Sequence, residues 1–149
     1  MNRDDVLIID GKASDWKEAI HLTGQALLEK GFVKEGFAEG CIRREKNYPT
    51  GLLMETCIAI PHTEDTYVNK AGICMLRLDE EVSFCRMDAP EETISTKLIF
   101  NLALEKGSQQ VGMLQKLITA MADQEFAKQC ITLNGEALKQ LFANYSLCE

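Results

Sequence analysis

The stretch Ile58-Ala59-Ile60-Pro61-His62 decides how the middle of this chain folds and what it presents. Proline has no backbone N–H and disfavours helical geometry in the residue before it, so Ile60 is expected to be extended and the strand to stop at Pro61. His62 then lies at a strand end, where functional groups of α/β sheets tend to concentrate. A neutral imidazole there has one nitrogen free to attack and a second that needs an orienting acceptor. His62 is therefore the first candidate for a reactive side chain.

Taken alone, the Pro61-His62 step is also typical of an ordinary loop histidine whose ring is satisfied by its neighbours. A metal site formed by His62, Glu64 and Asp65 is a weaker alternative, because further ligands are missing elsewhere in the chain. We therefore predict neither a metal nor a cofactor. The second histidine, His21, falls on the polar side of a predicted helix and is expected to be solvated.

Length and composition describe an ordinary globular protein. The chain has 149 residues, enough for one domain with its own core. Its net charge of −7 argues against nucleic acid or an anionic membrane as a main partner, since both attract basic surfaces. No apolar run approaches the roughly 18 residues of a spanning helix, and the N-terminus is a poor signal peptide. The six cysteines form no C-x-x-C pair, so reduced thiols in a cytoplasmic protein are expected.

The pattern of apolar residues predicts helices around a central group of strands. Ser14 and Asp15 are suitable caps for a helix that runs to Lys30, and Gly31 ends it. The other predicted elements are a helix at residues 34–46, a turn at 48–51, strands at 57–60, 71–78, 82–84 and 97–104, a helix at 108–122, a turn from 123 to about 130, and a helix at 135–145. This order predicts a single α/β domain with a mixed β-sheet flanked by helices on both faces.

Two motifs upstream of His62 change its interpretation. An Arg44-Glu45 pair and a Pro49-Thr50-Gly51 turn precede the Ile58–His62 stretch in a particular order and spacing. Together they resemble the signature of enzyme IIA domains of the bacterial phosphoenolpyruvate-dependent sugar phosphotransferase system, in its mannitol/fructose-type superfamily. The resemblance covers most of the chain. It implies one enzyme IIA (type 2) domain over residues 1–149.

The resemblance also implies a reaction and partners. His62 would accept a phosphoryl group from the histidine phosphocarrier protein and donate it to a cysteine of enzyme IIB, which serves the membrane enzyme IIC. Such transfer depends mostly on positioning and charge neutralisation. Arg44 is expected to pair with phosphate oxygens, and the Thr50 hydroxyl to add a donor. His62 should be accessible to both proteins, whereas Glu45 is expected on a solvated face or in an ion pair.

Gln110 is a departure from much of the superfamily. Mannitol, fructose and nitrogen-regulatory members usually carry a second histidine at this place, and glutamine can hydrogen-bond phosphate or the His62 ring without becoming cationic. The galactitol-type branch resembles this chain better, so galactitol or a related polyol is the expected sugar. Three alternatives stay open: a phosphorylation-sensing regulator of the nitrogen-regulatory type, an enzyme IIB with a nucleophilic cysteine, and an unrelated domain.

Overall fold

A computed structural model describes residues 1–149, apart from the side chain of Ser108. Its strands are β1 (Val6–Gly11), β2 (Gly51–Leu52), β3 (Ile58–Ala59), β4 (Gly72–Cys85) and β5 (Thr93–Ala103). They form one sheet in the order β1-β4-β5-β3-β2, in which β1 is parallel to β4, β4 antiparallel to β5, β5 parallel to β3 and β3 antiparallel to β2. The helices are α1 (Trp16–Glu29), α2 (Phe37–Asn47), α3 (Gly107–Ala122), α4 (Gln124–Thr132) and α5 (Gly135–Asn144). Short 3-10 turns cover Arg3–Asp5 and Asp65–Tyr67.

The sheet is buried on both faces. Successive side chains of a strand point to opposite sides, so the apolar residues of β4 and β5 supply two cores. Met75 and Phe100 pack in the cluster that contains the apolar side chains of α3, α4 and α5. Leu76 and Ile99 pack in the cluster that contains those of α1 and α2. The predicted α/β class, with a mixed sheet flanked by helices on both faces, is confirmed.

The first two helices show how local signals set their ends. The Asp15 side chain accepts a hydrogen bond of 2.9 Å from the Glu18 N–H and caps α1 as predicted. Gly31 follows the helix with a φ of +80°, a conformation that glycine adopts readily. Helix α2 begins at Phe37, three residues later than predicted, because Gly36 before it has a φ of +93° and interrupts helical geometry.

Three other predictions need correction. Residues 6–11, not predicted as a strand, form β1 and pair with β4. The two strands predicted at 71–78 and 82–84 are one strand, whose pairing with β5 is irregular between Arg77 and Val82. The predicted turn after residue 123 is the helix α4, which buries Phe126 and Cys130 in the core. This segment is too short for sequence periodicity to indicate helix strongly, and tertiary burial stabilises it.

Two further observations concern the part of the chain that the structure describes. No helix there is both long enough and apolar enough to cross a membrane. The six cysteines are all free thiols, of which Cys41, Cys74, Cys130 and Cys148 are buried. The structure forms no disulfide among these residues.

Candidate functional site

His62 lies at the end of β3, beside β5. The backbone N–H of Leu102 in β5 donates to the carbonyl of Pro61 at 3.1 Å, and His62 itself bridges to Leu102 in parallel orientation. The proline interrupts β3, and the chain then pairs again with its neighbour. This pairing holds the imidazole against the sheet, so His62 is only 6% exposed. The side chain is less accessible than the sequence predicted.

The hydrogen bond of the ring identifies its tautomer. Nδ1 of His62 lies 2.9 Å from the carbonyl oxygen of Ile60. A carbonyl oxygen only accepts, so Nδ1 carries the hydrogen and Nε2 keeps a lone pair. Burial lowers the pKa of His62, the bond to Ile60 opposes this shift, and the positive charge of Arg44 lowers the pKa further. The ring is thus held neutral, with Nε2 as its nucleophilic atom, and Ile60 is the acceptor that the sequence left unassigned.

Arg44, in the last turn of α2, lines a cleft beside the loop that follows His62. The cleft has a volume of about 270 Å³ and is lined by Gly40, Arg43, Arg44, Asn47, Tyr48, Thr63 and Glu64. The guanidinium carbon lies 5.2 Å from the centre of the Tyr48 ring. Nε of Arg44 is buried without a hydrogen-bond acceptor among the residues that the structure describes, a property shared only with Nε of Arg3. A phosphate oxygen is a suitable acceptor for such a donor.

Thr63, next to His62, is held between two helices. A Cβ atom at Gly40 of α2 would lie 3.0 Å from Thr63 Oγ1, so glycine permits this close approach. From the first turn of α3, Gln110 Nε2 donates to the Thr63 carbonyl at 2.9 Å. The described hydrogen bond of Gln110 therefore supports the loop that carries His62, through its backbone.

Thr50 and Glu45 lie behind His62 and form a buried pair. Thr50 donates its hydroxyl to Glu45 Oε1 at 2.9 Å and its backbone N–H to Glu45 Oε2 at 2.6 Å. A threonine hydroxyl has one hydrogen, so its use here differs from the donation to phosphate that the sequence predicted. The expectation of Glu45 on a solvated face is wrong, since the residue is 5% exposed, and the described residues form no ion pair with it within 4.0 Å. Burial raises the pKa of Glu45 to about 7, against the opposing effects of the Thr50 bonds and Arg44.

Of the predicted residues, Arg44 lines the cleft, and Gln110 donates to the Thr63 carbonyl in the loop that carries His62. The Thr50 hydroxyl oxygen accepts from the Ile60 N–H. Two further parts of this site, Glu45 and Ile60, were not predicted from the sequence. Glu45 had a usable signal, because it is half of the Arg44-Glu45 motif. The role of Ile60 is carried by its backbone, which side-chain motifs do not report.

Comparisons with known proteins identify the family of the chain. Residues 1–145 match the family model for the "Phosphoenolpyruvate-dependent sugar phosphotransferase system, EIIA 2". The galactitol-specific EIIA component of the PTS system of Escherichia coli (strain K12) is 31% identical over 134 residues, which are 89% of each chain.

Solved structures share the fold. The mannitol enzyme IIA in its complex with phosphorylated enzyme IIB, from Escherichia coli, superposes with a TM-score of 0.74 at 23% identity, over 97% of each chain. The nitrogen regulatory protein IIA-Ntr of Neisseria meningitidis gives a TM-score of 0.71 at 22% identity, over 93% of this chain and 97% of its own. By its family match and its galactitol-specific relative, this chain belongs to the type 2 enzyme IIA family of the phosphoenolpyruvate-dependent sugar phosphotransferase system, whose members are phosphotransferases.

Proposed function

We propose that residues 1–149 form one cytoplasmic enzyme IIA domain that carries a phosphoryl group on His62. The donor is the histidine phosphocarrier protein, and the acceptor is a cysteine of an enzyme IIB that works with a membrane enzyme IIC. The transported sugar is galactitol or a related polyol. The observation that carries this proposal is the bond from His62 Nδ1 to the Ile60 carbonyl, because it leaves Nε2 unprotonated and ready to attack.

The transfer consists of two displacements at phosphorus. In the first, the lone pair of His62 Nε2 forms a bond to phosphorus while the N–P bond of the phosphocarrier histidine breaks and its electrons return to that ring. In the second, a thiolate of enzyme IIB attacks phosphorus, and the electrons of the breaking N–P bond return to Nε2. Nδ1 of His62 keeps its hydrogen throughout, held by Ile60. Each step exchanges one nucleophile for another, so no further reactant is needed.

Arg44 suits the negative charge that develops during both steps. Its planar guanidinium offers several donors in fixed directions, and the cleft places them beside Thr63. Transition states of phosphoryl transfer spread charge over the equatorial oxygens, which such a group stabilises. Gln110 adds support from α3 through the Thr63 carbonyl.

Two comparisons support the choice of sugar and partner. The relative that is 31% identical is named as galactitol-specific, and the glutamine at position 110 is what the galactitol-type resemblance implies. The mannitol enzyme IIA with a similar fold was solved with phosphorylated enzyme IIB. An enzyme IIB with Cys74 as nucleophile fits poorly, because burial raises the pKa of that thiol to about 12 and keeps it protonated.

The test is phosphorylation with purified components. The protein is incubated with phosphoenolpyruvate labelled with ³²P, enzyme I and phosphocarrier protein, and then with galactitol, mannitol and fructose enzyme IIB proteins. We expect label on the wild type and transfer to the galactitol enzyme IIB fastest. His62→Ala should take no label.

His21→Ala is the matched control, because it removes the other histidine, which is exposed on α1. It should be labelled like the wild type. Equal labelling of the His62→Ala variant, or no label on the wild type, would refute the proposal. A labelled protein that serves no enzyme IIB would favour a regulator of the nitrogen-regulatory type.

A further inference from the structure

Hydrogen bonds on either side of the Ile60 backbone connect a buried acid, Glu45, to His62. Glu45 accepts from the Thr50 hydroxyl, whose oxygen in turn accepts from the Ile60 N–H at 3.1 Å. The Ile60 carbonyl accepts from His62 Nδ1 at 2.9 Å. Of these four residues, only His62 performs chemistry in the proposed function. The other three lie behind it.

We propose that Glu45 is a positioning residue for His62, acting through the Thr50 hydroxyl and the backbone of Ile60. The inference rests on the proposed function of His62 as phosphoryl carrier. It assigns to the glutamate of the Arg44-Glu45 pair a task separate from that of the arginine. Arg44 serves the phosphoryl group, and Glu45 serves the ring that receives it.

The path transmits position and not a proton. The N–H and the C=O of Ile60 belong to different peptide groups, which are joined through its Cα atom. Bonds to both groups therefore fix the orientation of Ile60 as a whole, including the direction of its carbonyl oxygen. That direction decides which ring nitrogen carries the hydrogen. With Ile60 held, His62 keeps Nε2 free before phosphorylation and after the phosphoryl group leaves.

The strand arrangement explains why Ile60 needs this support. Strands β2 and β3 pair only at Gly51 with Ala59 and Leu52 with Ile58, so the ladder ends before Ile60. Thr50, directly before β2, supplies a side-chain oxygen where a backbone carbonyl would otherwise accept. Pro61 cannot donate at all. The Thr50 hydroxyl thus extends the pairing by one residue, up to the carbonyl that orients His62.

Simple fold stability is a poor explanation for a carboxylate at this place. Burying a carboxyl group opposes its ionisation, which is why the pKa of Glu45 is raised. Well-packed apolar residues often replace buried charged groups without loss of stability. Glu45 instead holds both the N–H and the hydroxyl of Thr50, at 2.6 Å and 2.9 Å, and so fixes the direction of the Thr50 oxygen.

The decisive measurement is the tautomer of the His62 ring, read from the ¹⁵N chemical shifts of its two nitrogens in the unphosphorylated protein. Thr50→Val removes the hydroxyl at nearly constant shape, Glu45→Gln removes one acceptor oxygen, and Thr50→Ser restores the hydroxyl. The control is Thr23→Val. Thr23 is also buried, and its hydroxyl accepts from Asn101 and donates to the Ile20 carbonyl, contacting none of the four residues of the path.

We expect wild type, Thr50→Ser and Thr23→Val to show hydrogen on Nδ1 alone. Thr50→Val and Glu45→Gln should show a measurable population with hydrogen on Nε2, and their rates of phosphorylation should fall by about tenfold or more. If Thr50→Val does not fold, Glu45→Gln, which keeps the side-chain shape, decides the question.

The inference is wrong if a folded Thr50→Val or Glu45→Gln protein keeps both the wild-type tautomer and the phosphorylation rate of Thr23→Val. A changed rate with an unchanged tautomer also overturns it, because Glu45 would then act by another route. The tautomer does not depend on any phosphoryl donor. If the wild type took no label from phosphocarrier protein, the proposed function would be refuted. The His62 tautomer would still test the positioning role of Glu45.

Discussion

The guanidinium groups of two arginines, Arg77 and Arg44, differ in their hydrogen bonding. Arg77 in β4 bonds through Nε to Asp10 at 2.6 Å, through Nη1 to the Leu133 carbonyl at 2.6 Å and through Nη2 to the Asn134 side chain at 2.8 Å. Arg44 in α2 has a stacking partner, Tyr48, but its buried Nε has no acceptor among the described residues. A guanidinium whose donors are used within the protein stabilises the fold. One whose donors face a cleft is available to a ligand.

The surroundings of the two side chains explain this difference. Arg77 joins β1, through Asp10, to the carbonyls at the end of α4, which lack partners within the helix. Arg44 lies in the last turn of α2, where its positive charge interacts favourably with the helix dipole, and its Nε has no acceptor among the described residues. The first arginine connects three parts of the fold, and the second contributes its charge to the cleft next to His62.

The largest expected effect is that of Arg44→Met on phosphoryl transfer. Loss of a donor that stabilises developing charge typically reduces the rate by about a hundredfold or more. The free energy of unfolding should change by less than about 1 kcal/mol, because Nε loses no bond. The measurements are the initial rate of labelling by phosphocarrier protein and urea unfolding.

Arg43→Met is the matched control for this variant. Arg43 is the exposed neighbour of Arg44, and its described side-chain bond goes to the Tyr67 hydroxyl at 3.1 Å. The control should transfer phosphoryl groups much faster than Arg44→Met. Equal rates for the two variants would mean that any positive charge in the cleft serves transfer. Arg44 would then have no specific role to set against the structural role of Arg77.

Arg77→Met should have the opposite profile. It breaks the ion pair with Asp10 and leaves the carbonyl of Leu133 and the amide of Asn134 without this partner, which should cost about 3 kcal/mol of unfolding free energy. Urea unfolding measures the loss. Labelling of the folded variant, measured at low temperature, should match that of the wild type. An Arg77→Met protein that is labelled slowly but is as stable as the wild type would contradict the structural role of Arg77.

A smaller effect concerns the acid next to Arg44. Because burial raises the pKa of Glu45 to about 7, the folded protein binds this proton more tightly than the unfolded chain does. The associated stability is present below the usual pKa of 4.5 and is lost as the pH rises through about 7. Relative to Glu45→Gln, the wild type should lose between about 1 and 3 kcal/mol from pH 5 to pH 8.

Urea unfolding at several pH values measures this difference. The lowered pKa of His62 acts in the opposite direction, since its contribution is present above the usual value of 6.5 and lost as the pH falls. Both proteins contain His62, so its contribution is subtracted in the comparison to the extent that the His62 pKa is the same in the two proteins. Parallel stability profiles for wild type and Glu45→Gln would show that the Glu45 carboxyl does not titrate in this range.

The smallest expected effect is that of Gln110→Ala. The variant loses one partly buried hydrogen bond to the Thr63 carbonyl, worth about 1 kcal/mol, so the rate of phosphorylation should fall by less than about tenfold. Gln109→Ala is the control, because Gln109 is exposed one residue earlier in α3. A loss as large as that of Arg44→Met would mean that Gln110 contacts the phosphoryl group itself.

Much of the fold was predictable because strong local signals coincided with the tertiary structure. Asp15 and Gly31 bound α1 as expected, since capping and left-handed geometry are properties of single residues. The incorrect predictions concern elements whose local signals are weak. Strand β1 and helix α4 depend on partners distant in sequence, β4 for the first and the core around Phe126 for the second. Short segments like these carry little periodicity of their own.

By itself the sequence determined that His62 follows a strand terminated by Pro61, and that Arg44 and Thr50 precede it at a characteristic spacing. Only the tertiary structure decided which atoms meet. The Thr50 hydroxyl, directly before β2, donates to Glu45 of α2, and the Ile60 carbonyl selects the ring nitrogen of His62 that carries hydrogen. Residue types and spacings specify what chemistry is available. The direction of each hydrogen bond depends on backbone groups brought together by folding.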